Sequence, residues 1–76
     1  MKNNTHTFNI RTISKCELAM LYSPEVSPRS AVNRLARWIR LNKELAQALY
    51  ERGYRPRQQL FTPTQVEMII YYLGEP

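Results

Sequence analysis

Four arginines, Arg29, Arg34, Arg37 and Arg40, fall within the stretch SPRSAVNRLARWIRLN, and no acidic residue stands among them. The guanidinium fork grips guanine O6 and N7, or two phosphate oxygens, in bidentate fashion. At about 100° per residue, a helix over residues 28–41 gathers Arg29, Ser30, Asn33, Arg34, Arg37 and Arg40 on one arc, spoiled only by Leu41. Ala31, Val32, Leu35, Ala36, Trp38 and Ile39 fill the opposite arc. A merely solvated helix face usually mixes signs, because Glu and Lys four residues apart steady one another. A face of one sign points instead to an anionic partner. With such a helix in a DNA major groove, Arg29, Ser30, Asn33 and Arg34 on its first turns would reach base edges. Arg37 and Arg40, further along, would touch the backbone. A second basic cluster, RPRQQ, carries Arg55, Arg57, Gln58 and Gln59. It could rest as a wing on a neighbouring phosphate or in the minor groove, or serve as an ordinary polar loop.

The whole chain shares this bias. Its 76 residues hold 11 Lys and Arg against 6 Asp and Glu, a net charge of +5, and the pI is near 9.8. Nucleic acid is the first partner this implies, double-stranded DNA ahead of RNA; a membrane surface or an acidic protein comes second. Charge that only keeps the protein soluble is the plain alternative. With 43% hydrophobic and 22% charged residues, the chain is too apolar to be wholly disordered. One small domain is expected, and a chain this short buries only about 60% of its unfolded surface.

Other chemistry finds little support. Asp is absent, and the one histidine, His6, lies in a polar opening stretch, whereas acid–base catalysis or a metal site needs several such groups converging. Cys16 is the single cysteine, which excludes an internal disulfide and a thiolate zinc site. With no histidine beside it, Cys16 reads as a small buried residue. Gly53 and Gly74 read as helix stops, not as a phosphate-cradling loop. No enzymatic activity, cofactor, metal or small-molecule substrate is expected. The opening MKNNTHTFNI lacks the apolar centre of a secretory signal, and no run approaches the roughly 20 apolar residues that cross a bilayer. The expectation is a soluble cytoplasmic protein away from the membrane.

The elements that must position the arginines follow from local codes. Residues 1–7 are polar and patternless, a flexible tail ahead of a single domain over residues 8–76. Phe8, Ile10 and Thr12 alternate with Asn9 and Arg11, the period of a short strand. Ser14 and Glu17 stand in capping-box relation, so a first helix runs through KCELAMLY until Pro24 stops it. Only Lys15 and Glu17 interrupt its apolar surface, which predicts a mostly buried helix. SPEVS is the connection, Ser27 and Pro28 are the cap and first residue of the second helix, and Val26 is placed to staple onto Ala31. Asn42 can end that helix and cap a third, KELAQALYERG, with Leu45, Ala48 and Leu49 inward and Gly53 as its left-handed stop. YRPRQQLF is a loop or short hairpin whose Leu60 and Phe61 can pair with residues 8–12. Thr62, Pro63 and Gln65 start a fourth helix with Val66, Ile69, Ile70 and Leu73 as its core stripe. Trp38 borders the apolar arc and is assigned to the core rather than to base stacking. Met68, Tyr71 and Tyr72 remain on the other flank of the fourth helix as a homodimer contact, unless the N-terminal strand or tail covers them.

The segments SKCELAMLYSP, SPRSAVNRLARWI and FTPTQVEMIIYYLGEP together resemble a family of small bacterial proteins carrying a domain of unknown function. The resemblance covers roughly residues 8–76, YYLGEP being its most specific part, and it implies no established activity. More loosely, SKCELAMLYSPEVSPRSAVNRLARWI resembles the first two helices of excisionase-like and MerR-like DNA-binding domains. There a K-x-E-L-A helix precedes a turn and a helix ending near a Trp, an outline that Lys15, Glu17, Leu18, Ala19 and Trp38 match. The turn here is longer and contains Pro24, and a third full helix precedes the would-be wing. The expected fold is mainly α, four helices containing a helix-turn-helix, with room for a minimal two-stranded sheet in the manner of a winged helix. The expected function is double-stranded DNA binding, as a transcriptional regulator or mobile-element accessory factor. The alternative is a protein interaction module or small adaptor whose cationic helix docks on an acidic partner.

Overall fold

A helix can start where a side chain accepts one of its unpaired backbone N–H groups. In a computed structural model that describes residues 8–76, four helices start in this way among the described residues. Ser14 Oγ accepts the Glu17 N–H at 3.0 Å and opens α1, Lys15–Tyr22. Ser27 Oγ accepts the Ser30 N–H at 3.2 Å and opens α2, Pro28–Leu41. Asn42 closes α2 and, accepting the Leu45 N–H at 3.0 Å, opens α3, Lys43–Glu51. Thr62 and Gln65 form a complete capping box at the head of α4, Pro63–Leu73. At α1 the box is half made, because the Glu17 carboxylate turns to the Arg11 guanidinium at 3.4 Å. Gly53, at φ +86°, ends α3 in a Schellman turn: its N–H donates to the Tyr50 carbonyl at 3.0 Å, and the Tyr54 N–H donates to Leu49 at 2.9 Å. The tail expected over residues 1–7, with His6, lies outside the described residues.

The sheet is smaller than the alternation of Phe8, Ile10 and Thr12 predicts, and shifted. β1 is Ile13–Ser14 and β2 is Leu60–Phe61, antiparallel, with Ile13 opposite Phe61 and Ser14 opposite Leu60. A slip by one residue exchanges the two faces of a strand. Ile13, 3% exposed, takes the inward place against fully buried Phe61, and Ile10 is left 40% exposed. Ser14 fixes the register, since the residue that pairs with Leu60 also caps α1.

One hydrophobic cluster joins every element: Ile13, Leu18 and Ala19, Ala31, Leu35 and Ile39, Leu45 and Leu49, Phe61, Val66 and Ile69. Val26 is half-buried against it. Helix α1 is less buried than its composition predicts. Only Leu18 and Ala19 are buried there, Leu21 is 43% exposed, and Cys16 is exposed rather than a small core residue. Met20 and Tyr22 are half-buried against the cluster, and two helical turns leave Cys16 and Leu21 to solvent.

Two polar features tie the joints. Gln65, 2% exposed, accepts the Thr62 N–H at 3.0 Å and the Gln58 amide at 2.6 Å, and donates to the Arg52 carbonyl at 3.0 Å. The end of α3, the following loop and the start of α4 thus share one buried amide. At the other end of α4, the Tyr22 hydroxyl donates to the Gly74 carbonyl, and the Tyr22 ring meets Trp38 edge-on at 6.1 Å. Burial, with the charge of Glu75 adding to it, pushes the Tyr22 phenol up to about 12.

Gln65→Leu keeps the volume but strands three hydrogen-bond partners; urea unfolding should show a loss of roughly 2–4 kcal/mol. Because the phenol of Tyr22 is raised by folding, its contribution is fully present below its ordinary value of 10.0 and disappears as pH rises through about 12. An alkaline titration of phenolate absorbance should therefore show Tyr22 ionising late. Stability should fall across that window, and Tyr22→Phe should flatten the fall.

Candidate nucleic-acid interface

Helix α2 hides one arc and displays the other. Ala31, Leu35 and Ile39 are buried and Val32 and Trp38 half-buried, which turns Arg29, Ser30, Asn33, Arg37 and Arg40 outward, all exposed. These five lie within about 100° of helix circumference, at 100° per residue. Among the described residues no carboxylate is paired with Arg29, Arg37 or Arg40. The first turn of α2 holds no acidic residue and does hold Arg29. A cation there opposes the positive end of the helix dipole. That arrangement costs stability unless an anion answers it.

Arg34 is set apart from the other arginines. Its Nη1 donates to Ser23 Oγ at 3.2 Å and to Glu25 Oε2 at 2.7 Å. Ser23 is 1% exposed, so Arg34 satisfies a buried hydroxyl and braces the turn between α1 and α2. The hydrogen bond from Arg34 holds the Glu25 carboxyl below the usual carboxylate range. Arg34, expected among the base-reading residues, is thus a positioning residue for the turn.

The segment expected as a wing is a folded turn. β2 pairs with β1, not with residues 54–57, and the Gln58 N–H closes a turn onto the Arg55 carbonyl at 3.1 Å. Lys15 Nζ donates to the Pro56 carbonyl at 2.6 Å, and burial lowers the pKa of that ammonium. Arg55 lies over the Tyr50 ring at 4.4 Å and donates to the Tyr54 carbonyl at 2.7 Å. Arg40 and Arg55 line one groove, so the cationic arc of α2 continues onto this turn; Arg57 stands exposed on it. Of the residues expected at a dimer contact, Met68 and Tyr72 pack against the chain's own core. Tyr71 is 77% exposed, edge-on to Tyr72 at 5.0 Å. Trp38 packs on the core, as expected. The parts of Ser23, Glu25, Lys15 and Tyr50 carry no signal in the sequence, because each meets its partner across a turn or between separate elements.

Fold and surface define a small, mainly helical domain with a two-stranded sheet and one helix faced with arginine. The chain belongs to the family described as Domain of unknown function (DUF4248), which matches residues 9–76, as the resemblance of its helical segments and closing YYLGEP implies. No curated protein and no solved structure matches it. Among the described residues no helix is long and apolar enough to cross a membrane.

Arg34→Ala should loosen the turn rather than the core. Removing the donor to buried Ser23 should cost about 1–2 kcal/mol in denaturant unfolding, with faster amide exchange at Val26. Glu25→Gln should cost less, since exposed ion pairs contribute little. An equal cost for both variants would contradict this division of roles.

Proposed function

We propose that this domain binds double-stranded DNA, α1, the five-residue turn and α2 acting as a helix-turn-helix with α2 in the major groove. The observation that carries this reading is the exposed arc of Arg29, Ser30, Asn33, Arg37 and Arg40, which among the described residues meets no carboxylate. Arg29, Ser30 and Asn33 sit on the first turns, where a recognition helix reaches base edges. Arg37 and Arg40 follow as phosphate contacts, and Arg55 with Arg57 extends them along the backbone. Arg34 acts indirectly, fixing the angle at which α2 leaves the turn. A cytoplasmic regulator, or an accessory factor of a mobile element, is the role such a domain would play.

Fluorescence anisotropy with random-sequence duplex tests the reading. The logarithm of affinity should fall linearly with the logarithm of salt concentration, and Arg37→Ala should reduce the slope by about one. Selection of preferred sites from a duplex pool should give a weaker consensus for Arg29→Ala. Absence of duplex binding at low salt would refute the proposal.

A further inference from the structure

We infer that the groove between α2, α3 and the Tyr54–Pro56 turn is a binding site for a small amphipathic carboxylate. Its volume is about 330 Å³, at the lower end of the range for ligand pockets, which suits a small molecule rather than a peptide. Ile39 is buried and Ala46 and Tyr54 are half-buried in its lining, whereas Arg40, Tyr50 and Arg55 are exposed at its edge. The site is therefore apolar at depth and cationic at the mouth. Three other surface depressions each carry a glutamate in their lining, Glu44, Glu51 or Glu75 among them. This groove carries none.

The cations are differently prepared. Arg55 is held over Tyr50 at 4.4 Å and spends one donor on the Tyr54 carbonyl at 2.7 Å. A guanidinium has five N–H donors, so others are left for a carboxylate. The wall that carries Arg55 is fixed in turn by Lys15, which donates to the Pro56 carbonyl at 2.6 Å. Arg40 is paired with no carboxylate among the described residues. Two like charges lining one groove are relieved by an anion, and the apolar depth below them suits a hydrocarbon or aryl body. Duplex phosphate could meet Arg40 but has no apolar part to fill the depth. The chain's own opening residues, MKNNTHT, carry no carboxylate and little apolar surface.

Octanoate is the probe, titrated into the full chain below its micellar concentration and followed in amide NMR spectra. Saturable shifts centred on Ala36, Ile39, Ala46, Tyr50 and Arg55 are expected. Octanol, and separately Arg40→Gln, should weaken binding about tenfold or more, as the loss of a charge-assisted hydrogen bond does. Ala36 is exposed beside the groove, so Ala36→Phe should block binding and leave shifts elsewhere unchanged. Arg37→Gln, on the same helix but outside the groove, should bind octanoate as the unaltered chain does. Octanol binding as tightly as octanoate, equal weakening by Arg37→Gln, or no saturation would each overturn the site. No nucleic acid is present in this experiment, so its failure is distinct from failure of DNA binding.

Discussion

Helix α2 can lie on the rest of the chain in one rotation only, and the surface of the protein follows from that. Its seam of Ala31, Leu35 and Ile39 is no more than 5% exposed and shares one cluster with residues of α1, α3 and α4. Turning α2 about its axis would expose Leu35 and Ile39, at about 1.5–3 kcal/mol for each large side chain. It would also bury arginines with no carboxylate to meet them, which costs more. The cationic arc is thus presented because the opposite arc is held. No separate interaction is needed to aim Arg29, Arg37 and Arg40 at solvent.

A core this lean leaves the joints between helices to polar groups. Among the described residues Ser23 and Gln65 are the buried polar ones, and both are satisfied by side chains from other parts of the fold. Ser23 with Arg34 holds the α1–α2 turn, while Gln65 ties the end of α3 and the 52–60 segment to the head of α4. A buried polar group without its partner loses the full cost of its desolvation, so each tie specifies one arrangement more sharply than an apolar contact would. The closing Gly74 is tied similarly, through Tyr22 set edge-on to Trp38.

Arginine serves three ends here, and the neighbours of each residue decide which. Arg34 meets a buried hydroxyl and a carboxylate and becomes part of the scaffold. Arg29 and Arg37 meet solvent and form the face proposed for DNA. Arg40 and Arg55 flank an apolar groove at the edge of that face, where a carboxylate with a hydrocarbon body finds both of its needs together. A ligand held there would occupy Arg40, a residue that also belongs to the face proposed for DNA.

Most of the helical skeleton was legible in the sequence, because caps act over three or four residues. Ser14, Ser27, Asn42 and Thr62 each accept the N–H three residues on, and Gly53 takes the left-handed conformation after α3. The cationic arc was legible too, since helical periodicity alone separates Arg29, Arg37 and Arg40 from Ala31, Leu35 and Ile39. The strand register was not: Ile13 is chosen over Ile10 by Phe61, far along the chain. Nor was the exposure of Cys16, which depends on how much of a two-turn helix its neighbours can cover. By itself the sequence determined where helices start, where they stop and which sides of them are charged, because those depend on near neighbours and on a fixed turn per residue. Only the tertiary structure decided that Arg34 braces a turn while Arg40 borders a groove. Ser23, Glu25, Tyr50 and Pro56 come to their sides through folding, and no spacing along the chain encodes that approach.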